Sequence, residues 1–277
     1  MTLSVIALVL GVLAYGAAGA RLSDGARGDV HPLKSLTWWT GTGLQGCGFL
    51  FTFLARGHLP LLIVQAAVVG GLAITAIIQH VSRTRALSPR DVGAIAVLVV
   101  GIGLLAATTV PGPSLPIAPV HLVVLGVGVA ICLAGIPLVT HPGLSGVLSG
   151  LGFAISAIAA RLLVTDLPAQ IWRFWEWGLG VWIAGMLLMG GLVLGQVHLT
   201  RGLAASHAVG VLGANYVTST IVPAGVGLFL LGELPRAGME WAVVVGLVLS
   251  LAGALSLLRP DQADPVAQGS ATGDAHP

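Results

Sequence analysis

The stretch "GANYVTSTIVPAGVGLFLLGE", residues 213–233, combines a bilayer-compatible apolar run with Asn215, Tyr216, Thr218, Ser219 and Thr220 inside six positions, and it stops at Glu233. A lipid-exposed helix has no use for that polarity at its middle. In hydrocarbon, polar side chains and proline-freed backbone groups are tolerated only where they face protein or a water-filled cavity. Pro223 borders the cluster and removes one helical hydrogen bond. At about 100° per residue, Asn215, Thr218 and Ser219 share one face, with His207 two turns earlier on the same side.

Working outward, the rest of the chain places this stretch in a membrane. Of 277 residues, 56% are hydrophobic and only 8% charged, and the mean hydropathy is +0.99. A soluble domain carries about 25% charged residues, so the fold class expected is an all-α integral membrane protein. The 40 glycines suit close helix packing in lipid. A net charge of +2 suggests no nucleic-acid partner. Cys47 and Cys132 fall in apolar runs, which argues against a disulfide framework or a zinc site. The first segment lacks the basic leader of a signal peptide and reads as a retained helix.

A span needs about 20 apolar residues. Nine runs meet that length: roughly 2–20, 37–54, 59–80, 91–108, 119–139, 144–164, 175–196, 205–230 and 239–258. With the N-terminus outside and the C-terminus cytoplasmic, the inside set is Arg21, Arg27, Lys34, Arg83, Arg85, Arg90, Arg201 and Arg259. The outside set is Arg56, Arg161, Arg173 and Arg236, a bias that follows the positive-inside tendency. Trp38, Trp39, Trp172, Trp175, Trp177 and Trp241 sit at helix starts, as interfacial anchors do. The expected localisation is a cell membrane, multi-pass.

Two stretches open with Leu-x-Arg-Gly, "LARGHLPLLIVQ" (54–65) and "LTRGLAASHAVG" (199–210), and each is followed by a Pro-Arg loop and a terminal apolar helix. Five helices separate the copies, so the second is inverted relative to the first. Inverted repeats mark many secondary transporters, whose sites lie between the halves. The expected organisation is a 4+5 inverted repeat: residues 1–108, a Pro-rich linker at 109–118, residues 119–258, and a disordered tail at 259–277.

The first half offers a stripe matching that of the second. Gln65, Thr75 and Gln79 lie within about 80° of one another, and Gln45 sits in the preceding helix. The expected substrate-binding set is therefore Gln45, Gln65, Thr75, Gln79, Asn215, Thr218 and Ser219, with Glu233 and His207 as gating or coupling candidates. The plainer reading of each residue is a hydrogen bond that glues two helices together. For Glu233 it is a solvated loop position. No acid lies mid-span, and a hard divalent cation usually wants carboxylates among its oxygen ligands. No P-loop, HExxH motif or catalytic triad is visible, so neither an enzyme, a cofactor nor a metal site is expected.

"RGHLPLLIVQAAVVGGLAITAII" with "RALSPRDVGAIAVLVVGIGLL", and "GANYVTSTIVPAGVGLFLLGELP" with "WAVVVGLVLSLAGALSLL", resemble the drug/metabolite transporter superfamily. The nine-helix outline is similar to its NIPA-type magnesium transporter branch. The resemblance implies two inverted repeats around a central cavity, with the first repeat short of its leading helix, and it covers the chain to about residue 259. Gly232-Glu233 matches the family's Gly-Glu turn, whereas Arg85 stands where the first half would carry the acid.

The leading expectation is a transporter of a small organic solute by alternating access, with the lipid bilayer as surroundings. A second reading moves Mg²⁺, an ion substrate held by Asn215, hydroxyls and carbonyls. A third is a non-transporting scaffold or sensor subunit. The G-x-x-x-G at Gly191 and Gly195 suits either a homodimer or packing within the chain.

Overall fold

The computed structural model describes residues 2–26, 34–82, 87–110, 112, 115–167, 172–205 and 208–258. The tail at 259–277, Arg85 and His207 lie outside the described residues. Ten helices follow in order: α1 (Thr2–Ala26), α2 (Leu36–Ala55), α3 (Leu61–Val69), α4 (Gly71–Val81), α5 (Pro89–Thr108), α6 (Pro119–Leu138), α7 (Pro142–Asp166), α8 (Leu179–Ala205), α9 (Ala208–Leu230) and α10 (Glu240–Leu257). Among the described residues there is no strand, only an isolated bridge between Thr109 and Pro235.

Helix starts follow local chemistry. Ser35 Oγ accepts from the Trp38 N–H to open α2. Ser88 and Asp91 form a reciprocal capping box on α5, satisfying donors that have no intrahelical partner. Pro119 and Pro142 occupy the first positions of α6 and α7, where a missing N–H costs nothing.

Each of the nine expected spans is helical, with two departures. Residues 59–80 are divided at Gly70 into α3 and α4. Eight spans are long and apolar enough to cross a membrane, with α3 and α4 counted together as Leu61–Val81. The helix outside that set is α2, "LTWWTGTGLQGCGFLFTFLA", diluted by threonine, glycine and Gln45. Trp175, expected to begin a span, lies instead in a 3₁₀ turn at Phe174–Glu176.

Packing is organised around α7, the most buried span. It meets α8 where Gly152 faces Gly191 and Gly195. A Cβ on Gly152 would lie 2.6 Å from the Gly195 nitrogen and 2.7 Å from the Gly191 oxygen, so the two backbones are in direct contact. The G-x-x-x-G is thus used within the chain, to seat α8 on α7. On another face of α7, Gly150 approaches the Asn215 carbonyl of α9. Helices α5 and α10 meet in the same manner, at Gly101 and Gly253.

The main helix pairs have a recurring order. In the first part α1 packs on α2 and on α4; further along, α7 packs on α8 and on α9. Between the two parts α5 meets α10 and α3 meets α9, while α6 lies on α7 and α8. Helix α6 turns Val120, Val123, Val127 and Ile131 outward.

Candidate functional site: a polar stripe and a buried charge clamp

The polar residues of α9 gather on its contact with α7. Asn215 is buried, and its Oδ1 accepts from Ser149 Oγ of α7 at 2.9 Å. Thr218 and Ser219 flank the same Gly150 approach. Ser219 Oγ and Thr220 Oγ1 donate back to the Tyr216 carbonyl, at 3.3 and 2.8 Å.

Thr75 occupies the comparable place in the first part. Its hydroxyl donates to the Gly16 carbonyl across the α1–α4 contact at 2.8 Å. Gln65 is buried on α3, the helix that packs on α9, and Gln79 is buried on α4. Gln45 is partly buried on α2, whose main neighbours are α1 and α7. The structure therefore brings Asn215, Thr218 and Ser219 together. Thr75 lies on a second helix crossing and Gln45 stands apart from the α9 group.

Glu233 is where the structure adds most. It is 1% exposed, so the solvated-loop reading is corrected. After α9 ends, Gly232 takes φ 64°, the left-handed backbone that glycine adopts without steric cost. The chain folds back so that the Glu233 N–H donates to the Gly227 carbonyl at 2.9 Å, and the side chain enters the bundle. Both carboxylate oxygens accept from the Leu61 N–H, at 2.8 and 2.9 Å. Leu61 is the first residue of α3, where unpaired N–H groups and the helix dipole favour an anion.

Two arginines complete the cluster. Arg161 Nε of α7 lies 3.4 Å from Glu233 Oε1, and Arg161 Nη1 donates to the Arg56 carbonyl. Arg56 follows α2 and is 2% exposed; its Nη1 donates to Thr52 Oγ1 at 3.3 Å, and its guanidinium lies 5.5 Å from the Phe49 ring centre. Both arginines belong to the set expected on the outside, and both are buried. Nearby, the Val110 N–H donates to the Leu234 carbonyl and the Arg236 N–H to the Thr108 carbonyl, tying the end of α5 to the α9–α10 turn.

Burial pushes the Glu233 carboxyl above its ordinary value, and the Leu61 N–H and Arg161 pull it part of the way back. Burial brings Arg56 down to about 10, with Tyr15 acting in the opposite direction. One more ionisable residue escaped sequence reasoning. His198 of α8 is fully buried; its Nε2 bonds the Cys132 carbonyl at 2.9 Å, and its Nδ1 has no partner among the described residues. A histidine inside a long apolar helix was the available signal.

Compared with family models, with curated proteins and with solved structures, the chain matches none.

Proposed function

We propose that the protein is a multi-pass membrane transporter of the drug/metabolite type, moving a small solute by alternating access between residues 1–108 and 119–258. The observation that carries this reading is the clamp at Glu233. One carboxylate from the second part holds the first turn of α3 in the first part, and Arg161 ties the same carboxylate to the end of α2. A tie of that kind shuts one end of the bundle and leaves the α9 stripe to be reached from the other.

Further support comes from the recurring helix pairs and from the apolar residues that α6 turns outward, an arrangement suited to hydrocarbon. The broken α3–α4 segment fits as well, since interrupted helices are common where transporter halves meet. In this reading the N-terminus and the clamp lie outside.

Cysteine at Thr218, with Cys47 and Cys132 replaced, tests it through a water-soluble maleimide applied from each side of a vesicle. The expected result is labelling from the side opposite the clamp, with labelling from the clamp side appearing in Glu233→Ala. Complete protection in both proteins would favour a scaffold and end the transport reading.

A further inference from the structure

We infer that the clamp end holds an anion site centred on Arg56, and that the solute carries a single carboxylate. This deepens the transport reading and rests on it for the word solute; the binding site itself does not. The first ground is a charge imbalance. Arg56, Arg161 and Glu233 are all buried, and Arg161 links the other two, donating to the Arg56 backbone carbonyl and lying 3.4 Å from Glu233 Oε1, so two buried cations stand with one acid. The acid is fully engaged by the Leu61 N–H and Arg161. Among the described residues, no carboxylate stands within ion-pair distance of Arg56.

The second ground is an unpartnered donor. Arg56 Nε is buried and has no hydrogen-bond partner among the described residues. Its Nη1 reaches only the neutral Thr52 hydroxyl. A buried guanidinium without a counter-ion is costly, because it has left water and received no opposite charge in return. The same burial holds the Arg56 guanidinium below its ordinary value. A ligand carboxylate would supply both missing elements, since the planar fork of arginine pairs with carboxylates in a bidentate manner.

The surroundings narrow the ligand. Beside the Arg56 side chain stand Thr52 and the Phe49 face from α2 and Tyr15 from α1, while Arg161 of α7 meets the Arg56 backbone carbonyl. Tyr15 is wedged against Gly48 and Gly71 yet keeps part of its surface open. Phe49 and Tyr15 therefore set aromatic rings beside the buried cation. They suit a carboxylate on a small aromatic body. A magnesium ion would add positive charge to a site that already has an excess.

Thermal melts of the purified full chain in detergent, followed by circular dichroism, test the inference. The probes are sodium benzoate, its neutral counterpart benzamide, magnesium chloride, and sodium chloride at matched ionic strength. A ligand that binds the folded state raises Tm as its concentration passes Kd. The expected result is a rise with benzoate beyond the chloride control and none with benzamide. Arg56→Gln should weaken benzoate by about tenfold or more. Arg56→Lys, which keeps the charge but not the fork, should weaken it less, and it carries the test alone if the glutamine variant does not fold.

Equal stabilisation by benzamide, stabilisation by magnesium in place of benzoate, undiminished benzoate binding in both variants, or no benzoate-specific rise up to its solubility would each overturn the anion site. Benzoate binding with no maleimide access at position 218 would keep the site and remove transport. Access without benzoate binding would do the reverse.

Discussion

Replacing Glu233 by alanine removes, in one step, the acceptor of the Leu61 N–H and the counter-ion of Arg161. Both partners stay buried, Leu61 fully and Arg161 at 6% exposure. An orphaned buried donor costs about 1–3 kcal/mol, and breaking one side of a buried ion pair costs about 3–5 kcal/mol. The same carboxylate serves both, so the penalties overlap, and a total of about 3–5 kcal/mol is expected for Glu233→Ala. Glu233→Gln behaves differently. It keeps an acceptor oxygen for Leu61 and most of the volume, and it sheds a charge that burial already disfavours. It still leaves buried Arg161 without its counter-ion, so its loss should fall short of the alanine variant's by about 1–3 kcal/mol, the cost of the orphaned Leu61 donor. Thermal unfolding in detergent measures both. Alanine and glutamine variants of equal stability would refute the claim that this carboxylate is a structural tie.

The same carboxyl predicts a pH trend. Its folded value is raised above the unfolded one, about 4.3, so its stabilising contribution is full below that pH and declines as pH rises through the folded value. Wild-type Tm should therefore fall with rising pH relative to Glu233→Gln; parallel curves would contradict it. Gly152→Val should lower stability by about 1–3 kcal/mol through overpacking against α8, while Gly103→Val, where a Cβ meets nothing within 4 Å, should leave the melt unchanged; equal effects would contradict the backbone contact. Ser149→Ala should cost about 1–3 kcal/mol because it leaves buried Asn215 Oδ1 without its donor, read from the same melts. Gly232→Ala should cost about 1 kcal/mol through its left-handed backbone, and an unchanged Tm would count against the turn as described.

The long apolar helices were legible because composition reports apolarity directly and helix length follows the apolar runs. The α9 stripe was legible because helical spacing alone puts Asn215, Thr218 and Ser219 on one face. The charge clamp was not, for a physical reason. Arg56, Arg161 and Glu233 each stand near the end of a span, where a charged residue ordinarily meets water. Nothing local distinguishes a solvated arginine from one buried against a carboxylate 72 residues away. Arg161 carried the best hint, since "AIAARLLVTD" (157–166) continues apolar for several residues beyond it. The break at Gly70 was hidden too, because glycine is common in these helices and most of the others interrupt nothing.

The most direct measurement places spin labels on cysteines at His58 and Leu234, exposed positions on either side of the clamp, in the background lacking Cys47 and Cys132. Electron–electron double resonance in lipid vesicles then reads the distance between them. Alternating access gated at Glu233 predicts a short, dominant distance in the wild-type background and a second, longer one that grows in Glu233→Ala. A single unchanged distance in both proteins would contradict it.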